Sequence, residues 1–138
     1  MELNQISGVV IDAARKVHSA LGPDLLEHIY RACLAYELRQ RGLKVQEEVA
    51  APIVYGSMKP DGAYRMDLAV EDSVIVELKA IEKLAPIHKV QLLSYLRLSG
   101  KTLGLILNFN VVHLREGIWR VVNQFEPASS ASSASPAV

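Results

Sequence analysis

Apolar residues recur every three or four positions through the first third of the chain, a spacing typical of helices with one buried face. The pattern predicts a first helix over Leu3–Leu21 that ends at Gly22. Asp24 is placed to cap a second helix, because its carboxylate can accept the free backbone N–H groups of a first turn. Apolar positions then recur over 26–38, and Gly42 is placed to end that helix.

Beyond the second helix the spacing of apolar residues shifts from helical toward alternating, which is typical of strands. Residues 43–49 and the apolar run 52–55 predict one or two strands, and 56–62 has the composition of a turn. Residues 64–70 and 74–80 then form two strand-like runs separated by three residues. These two runs predict a β-hairpin.

The second half of the chain predicts one more helix and two more strands. The helix runs from Pro86 to Ser99 and is closed by Gly100. The run at 102–109 is apolar enough for a strand buried on both faces, and a short strand is expected at 118–122. The sequence VIVELK at 74–79 opens with three β-branched residues, which indicates a central rather than an edge strand.

Composition limits the class of protein. Half of the 138 residues are apolar, yet no stretch approaches the roughly 20 apolar residues of a membrane-spanning helix, and we expect neither a membrane segment nor a signal peptide. The single cysteine, Cys33, cannot form an internal disulfide and is expected to be a small buried residue, which fits a cytoplasmic setting. We expect one domain over 1–124 and a disordered tail, rich in Ser, Ala and Pro, over 125–138.

Charge is balanced along the chain. Lysine plus arginine number 15 and aspartate plus glutamate also number 15, so the chain lacks the net positive field that draws proteins to nucleic acid over long distances. This balance counts against a protein that coats DNA. Two groups could still supply a local basic surface, or could be ordinary solvated residues: Arg39, Arg41 and Lys44, and then Lys79, Lys83, Lys89, Arg97 and Lys101.

The hairpin brings acidic and basic residues together. If it turns symmetrically about Asp72, Asp67 lies opposite Glu77 and Arg65 lies opposite Lys79. Because side chains alternate along a strand, these four residues are expected to share one charged face. The other face, expected to be the core, would carry Tyr64, Met66, Leu68, Val74, Val76 and Leu78.

Two carboxylates facing each other across strands, here Asp67 and Glu77, repel unless a cation lies between them. A divalent ion is the simplest solution, because Mg²⁺ takes oxygen ligands from one or two carboxylates and keeps waters for a phosphate substrate. Lys79 could then activate an attacking water or stabilise charge on the phosphate. The alternative is a solvated sheet face on which Arg65 and Lys79 merely neutralise the acids, but a central strand weakens it.

Two helices carry further polar residues. His88, Gln91 and Tyr95 fall on one face of the third helix, either as part of a site or as a helix edge that contacts water. In the second helix, Glu27 and Tyr30 lie about one turn apart. Glu27 is an acid within an otherwise apolar run, and its alternative role is that of a first-turn acid favoured by the helix dipole.

Together these residues resemble the GxxExxY proteins, a family placed in the PD-(D/E)XK nuclease superfamily. The matching stretches are LGPDLLEHIYRACLAYELRQRGL at 21–43, YRMDLAVEDSVIVELKA at 64–80 and APIHKVQLLSYLRLSGKTLGLILNF at 85–109. The chain departs from the family at the first glycine of its name motif, which is Asp24 here, and we expect the helix to survive because aspartate is a good cap. It also departs from the superfamily's proline–aspartate pair, since Met66 precedes the aspartate.

The resemblance implies a single-domain α/β fold of the restriction-endonuclease-like (PD-(D/E)XK) type, with a mixed central β-sheet flanked by α-helices. It places the superfamily's aspartate, glutamate and lysine at Asp67, Glu77 and Lys79. It also implies that Glu27 is an extra acid near the metal. Gln91 with Tyr95 would form the helical motif of the exonuclease-like branch.

The leading hypothesis is therefore a phosphodiesterase dependent on Mg²⁺ or Mn²⁺, with DNA favoured over RNA as substrate. Metal ligands would be Asp67, Glu77, the backbone carbonyl of Leu78 and, directly or through water, Glu27. Lys79 would act as base or charge stabiliser, and Gln91 and Tyr95 would orient Lys79 or a phosphate.

Two alternatives remain open at this point. The first is a catalytically silent nuclease-like module that binds nucleic acid or a protein partner, which the small size and neutral charge favour. The second concerns assembly: apolar residues at 45–55 or the strand after Gly117 could form a homodimer interface, or could close the sheet within one subunit.

Overall fold

The computed structural model describes residues 1–60 and 64–124. Its elements, in chain order, are α1 (Leu3–Leu21), α2 (Glu27–Gln40), β1 (Val45–Ala51), β2 (Tyr64–Val70), β3 (Val74–Lys79), α3 (Pro86–Ser99), β4 (Leu103–Asn108), a 3₁₀ turn (Leu114–Gly117) and β5 (Ile118–Val122). The predicted α1, α3, β2 and β5 are confirmed to the residue, and the predicted β3 and β4 to within one residue at each end. The tail predicted over 125–138 lies outside the described residues.

The strands form one five-stranded mixed sheet in the order β1-β2-β3-β4-β5. β3 and β4 run parallel, and the other neighbouring pairs run antiparallel. The parallel pair follows from α3, which crosses over between the two strands. β3 is central, as its β-branched residues indicated, and every residue of β4 is buried. The predicted α/β fold, with a mixed sheet flanked by helices, is confirmed.

Helices cover both faces of the sheet, so both faces are buried. On one face, residues such as Leu68 and Val76 pack with the apolar sides of α1 and α2. On the other, Ile75 and Ile106 pack with Leu92 and other residues of α3. The expectation of one core face and one charged face is therefore wrong: the charged residues occupy one end of a sheet that is otherwise apolar on both sides.

A distortion in β1 and β2 changes the predicted side-chain alternation. Glu48 adopts a positive φ of 52°, and Glu48 and Asp67 are skipped in an otherwise continuous β1–β2 register. Beyond this point Met66 packs in the α3-side core, although Leu68 packs in the α1–α2 core. Tyr64 also lies on the α3 side, against Tyr95. The prediction that Tyr64 and Met66 share the face of Leu68 is wrong, because regular alternation stops at Asp67.

Two local predictions are corrected. The apolar run 52–55 is not a strand: Tyr55 only bridges to Met58 in a tight turn. Asp24 does not cap α2, which begins at Glu27 with Leu26 as its N-cap and no side-chain cap. Asp24 instead lies in the preceding turn with φ +72°, the left-handed region that Asp and Asn tolerate better than most residues.

Two arginines of the first predicted basic group are paired with acidic neighbours. Arg39 pairs with Glu47 at 3.0 Å, and Arg41 pairs with Asp12 and with Glu37. Lys44 is exposed, so most of the positive charge of this group is already paired within the chain. Separately, no helix in residues 1–60 or 64–124 has the length and apolar character needed to cross a lipid bilayer.

Candidate active site

The β2–β3 hairpin has the predicted register as far as the site. Val70 pairs with Val74 and Leu68 with Val76, as a turn centred on Asp72 requires. The next pair would be Asp67 with Glu77, and there the side chains replace the backbone ladder. The backbone N–H of Asp67 donates to Oε2 of Glu77 at 3.0 Å, and the N–H of Leu78 donates to Oδ2 of Asp67 at 2.8 Å. Each carboxylate is thus fixed by the strand that carries the other.

Glu77 lies in an environment that strongly disfavours its charged form. The side chain is 8% exposed, and burial, followed by the charge of Asp67, raises the pKa of Glu77 to about 9. The hydrogen bond from the backbone N–H of Asp67 opposes this increase, hydrogen bonding between the two side chains adds to it, and the charge of Lys79 also opposes it. The pair therefore holds a proton at neutral pH in the absence of another cation.

Lys79 ends β3 beside the carboxylates. It pairs with Asn108 in the parallel β3–β4 ladder, and its carbonyl accepts the N–H of Phe109 at 2.9 Å. The pKa values of Glu77 and Glu27 are both raised, and the positive charge of Lys79 partly offsets each increase. Lys79 is therefore within electrostatic reach of both carboxylates. The predicted gathering of Lys79 with the acids is consistent with these interactions.

Arg65 does not face Lys79 as the symmetric hairpin predicted. The residue pairs with Ala50 of β1, and its guanidinium Nη1 donates to the carbonyl of Glu48 at 3.3 Å. The β2 strand is irregular at Asp67, and the side chain of Arg65 is bonded to β1. Lys79 is therefore the basic residue of the hairpin that acts on Glu77.

Glu27 is the first residue of α2 and points toward the same end of the sheet. Partial burial, followed by the charge of Asp67, raises the pKa of Glu27, while Lys79 and Arg31 lower it. Glu27 is therefore within electrostatic reach of Asp67 and Lys79, although it belongs to a different element. Its position in the first turn also suits the helix dipole, so the two interpretations given for this residue are compatible.

Tyr30 holds the turn in front of Glu27. Its hydroxyl donates to the carbonyl of Gly22 at 2.5 Å and accepts the N–H of Leu25 at 3.1 Å, and the side chain is fully buried. The spacing of Glu27 and Tyr30 along the sequence does not by itself assign this role to Tyr30. The sequence does contain an indication of it, because a tyrosine among core positions needs a partner for its hydroxyl.

The three polar residues on one face of α3, His88, Gln91 and Tyr95, have different roles. His88 accepts the N–H of Ala85 through Nδ1 at 2.9 Å, so it caps the helix. Tyr95 is buried, and its pKa is raised by burial first and then by the charge of Glu77. Gln91 is exposed and lines, with Tyr95 and Tyr64, an apolar groove of about 540 Å³. Gln91 and Tyr95 therefore lie beside the candidate site, and His88 is structural.

Asn108 is a further residue that sequence reasoning missed. It is buried at the end of β4, where its side chain accepts the N–H of Ile81 at 3.1 Å and donates to the carbonyl of Ile81 at 2.9 Å. These bonds fix the chain just after Lys79. A polar residue that ends an otherwise apolar strand, as in LGLILN, was the available signal.

The donor set fits a hard divalent cation. Asp67 and Glu77 each use one oxygen for a backbone N–H, which leaves the second for a proton or a cation, and the raised pKa of Glu77 reflects a need for positive charge. Mg²⁺ sites often use only one or two carboxylates, with water completing the shell. Within residues 1–60 and 64–124, no three His, Cys, Asp or Glu side chains form a ready metal cluster, so Glu27 stands outside direct coordination here.

Comparison with known proteins agrees with this geometry. The sequence profile of the PD-(D/E)XK nuclease superfamily matches residues 4–121. Neither the comparison with curated proteins nor the comparison with solved structures gave a significant match. The matched range includes every candidate residue, from Glu27 to Tyr95.

Proposed function

Because the chain belongs to the PD-(D/E)XK nuclease superfamily, we propose that it is a divalent-metal-dependent nuclease that hydrolyses phosphodiester bonds. Nucleases of this superfamily generally use divalent metals. Mg²⁺ or Mn²⁺ is the proposed ion, and DNA is the proposed substrate in preference to RNA. Within the superfamily, we propose the GxxExxY group, on the stretches around Glu27, Glu77 and Tyr95.

The observation that carries the proposal is the crossed bonding of Asp67 and Glu77. Two carboxylates held by each other's strands cannot move apart to relieve their repulsion. Burial of Glu77 makes water a poor substitute for a counterion. Without a cation this arrangement lowers the stability of the fold. With a cation between the carboxylates it is well suited to binding.

Each candidate residue has a proposed role. Asp67, Glu77 and the carbonyl of Leu78 would hold the ion, and Glu27 would contact it through water. When bound, the ion would supply Lewis acidity at a phosphate oxygen. Lys79 would take a proton from the attacking water or stabilise the charge that develops on the phosphate.

Gln91 and Tyr95 are proposed to position the substrate. Tyr95 is close enough to Glu77 and Asp67 for their charges to raise its pKa, so its hydroxyl can donate to an anionic phosphate or steady Lys79. Gln91 lies on the same groove with its amide exposed, where it can bond a neighbouring phosphate or sugar.

The test compares the wild type with Asp67→Asn. Mg²⁺ and Mn²⁺ are titrated into each by calorimetry, and each protein is then incubated with single-stranded, duplex and branched DNA and with RNA. We expect metal binding in the wild type only, and cleavage only where metal binds. Cleavage that survives in both Asp67→Asn and Lys79→Ala would overturn the assignment.

A second candidate function is a nuclease-like module that binds nucleic acid or a protein partner without turnover. The lack of a third ligating side chain at the carboxylate pair, among the residues described, favours it. A folded wild type that binds nucleic acid but no metal, with binding retained in Asp67→Asn, would support this function over the first.

A further inference from the structure

A second concave surface lies where the C-terminal end of α1 meets the segment between β4 and β5. It encloses about 680 Å³ and is lined by Arg15, His18, Ser19, Gly22, Pro23, Val112, His113, Leu114 and Arg115. The lining contains two guanidinium groups and two imidazoles and no carboxylate. We name it the arginine pocket.

The guanidinium groups of this pocket are not held in ion pairs by the described residues. Arg15 and Arg115 form no ion pair with residues 1–60 or 64–124, and both are exposed. Asp12, one turn from Arg15, is bonded to Arg41 and interacts with Arg15 only through their charges. Elsewhere arginines such as Arg31 and Arg39 face glutamates. The pocket thus brings together two guanidinium groups and no lining carboxylate, in a chain whose net charge is zero.

The pocket is directly connected to the elements of the candidate site. Its wall includes Gly22, whose carbonyl accepts the hydroxyl of Tyr30 just before Glu27. His18, also in the wall, lies 6.1 Å from the ring of Phe109 between centroids, and the N–H of Phe109 bonds to Lys79. The pocket is therefore built on the elements that also position Glu27 and Lys79.

We infer that the arginine pocket binds a phosphate group of the nucleic-acid strand, other than the one at the carboxylate pair. Two arginines on different elements can donate hydrogen bonds to phosphate oxygens from two sides. His18 donates through Nε2 to the carbonyl of Val111 at 2.8 Å, which holds the loop that carries His113 and Arg115. This inference rests on the nucleic-acid binding that belongs to the proposed nuclease and to the nucleic-acid-binding form of the second candidate function.

A structural explanation of the same residues exists and is separable. Cations near the C-terminal end of a helix are stabilised by its dipole, which would account for Arg15 and His18 in α1. It does not account for His113 and Arg115, which lie outside α1, at the start of the 3₁₀ turn and within it. If Arg15 served only α1, its loss would lower the stability of the fold and leave the binding of nucleic acid unchanged.

The test measures binding without cleavage, in the Asp67→Asn background with chelator. The double variant Arg15→Gln/Arg115→Gln is compared with Arg39→Gln/Arg120→Gln, which also removes two positive charges but outside the pocket. Labelled oligonucleotides that carry a 5′-phosphate, a 3′-phosphate or neither are titrated over a series of salt concentrations. Thermal melts check that each variant is folded.

We expect the pocket variant to bind about tenfold more weakly. The salt slope, which is the slope of the logarithm of the binding constant against the logarithm of salt concentration, should be smaller in magnitude by about one, because one phosphate loses its partners. The charge-retaining variant Arg15→Lys/Arg115→Lys should keep most of the slope. A loss shared by all oligonucleotides identifies an internal phosphodiester, and a loss confined to one phosphorylated end identifies a terminal phosphate. A pocket variant that binds like the control double variant overturns the inference.

The outcome is independent of the nuclease proposal. If the pocket variant has a smaller salt slope but the wild type never cleaves DNA, the arginine pocket is supported and the protein is a binding module. Metal-dependent cleavage with an unchanged slope leaves the nuclease assignment standing and overturns the arginine pocket.

Discussion

The ring of Tyr30 stacks on the ring of Phe109, with centroids 4.4 Å apart and planes inclined by 16°. This contact joins two parts of the site that are distant in sequence. Tyr30 holds the turn before Glu27 through its hydroxyl, and Phe109 bonds to the carbonyl of Lys79 through its N–H. The positions of Glu27 and Lys79 are therefore coupled through two aromatic rings.

Tyr30→Phe tests this coupling, because it keeps the stacked ring and removes only the hydroxyl. The carbonyl of Gly22 and the N–H of Leu25 each lose a partner, so we expect the free energy of unfolding to fall by about 2 kcal/mol. Displacement of Glu27 should lower the nuclease rate about tenfold. Urea unfolding and a cleavage assay on the same preparation measure both effects.

The matched control is Tyr36→Phe, since Tyr36 lies in the same helix and is 63% exposed. Its loss of a hydroxyl should change stability by less than about 0.5 kcal/mol. Equal effects of the two substitutions would contradict the role given to Tyr30.

Glu77 gives a prediction for the pH dependence of stability in metal-free protein. Its pKa is raised from 4.5 to about 9 in the folded state, so between these values the folded chain keeps a proton that the unfolded chain has released. Stability is then greatest below the unfolded pKa and decreases as pH rises toward 9. The decrease is at most about 1.4 kcal/mol per pH unit for one proton.

Glu77→Gln removes the titration while keeping the shape of the protonated side chain. Urea unfolding from pH 5 to pH 9 with chelator should give a larger loss of stability in the wild type than in the variant. Under the proposed function, Mg²⁺ should restore stability at high pH in the wild type alone. Parallel profiles for the two proteins would show that Glu77 is not the group responsible.

Asp24 occupies a backbone position that favours glycine. Its φ of +72° lies in the left-handed region, which raises the energy of residues with a Cβ, and of β-branched residues most. We expect Asp24→Gly to be at least as stable as the wild type, and Asp24→Val to be less stable by about 1–2 kcal/mol. Chemical denaturation of the three proteins checks the order.

The physical reason for this order is that the turn before Glu27 needs a positive φ at position 24. An Asp24→Val variant as stable as the wild type would show that the turn adapts to the side chain.

Gly117 and Gly8 provide a pair of alanine substitutions with opposite expected signs. A Cβ at Gly117 would lie 2.2 Å from the carbonyl oxygen of Asn108, so Gly117→Ala must displace the backbone that supports Lys79, and should cost about 3 kcal/mol. A Cβ at Gly8 meets nothing within 4 Å, and Gly8→Ala should stabilise α1 by about 1 kcal/mol.

Thermal unfolding of both variants measures these effects, and the nuclease assay should show that only Gly117→Ala lowers activity. A stable and fully active Gly117→Ala protein would mean that the close approach of β4 and the 3₁₀ turn is not required at the site.

The sequence by itself determined the elements and their order. Apolar spacing located α1, α3 and the strands because periods of 3.6 and 2 residues follow from local backbone geometry. It also located the hairpin register, since a short turn leaves little freedom in pairing, and so it predicted that Asp67 and Glu77 meet. The match to the superfamily likewise depends on the order of residues along the chain.

Only the tertiary structure decided what surrounds that pair. Helices on both faces bury Glu77 and make a carboxylate of ordinary appearance hold a proton, and burial depends on elements far away in sequence. The distortion at Glu48 and Asp67, beyond which Arg65 bonds to β1 and Met66 packs in the other core, arises between strands and has no local period. The link from Tyr30 through Phe109 to Lys79 exists only because α2 and β4 pack together, a relationship that no spacing along the chain encodes.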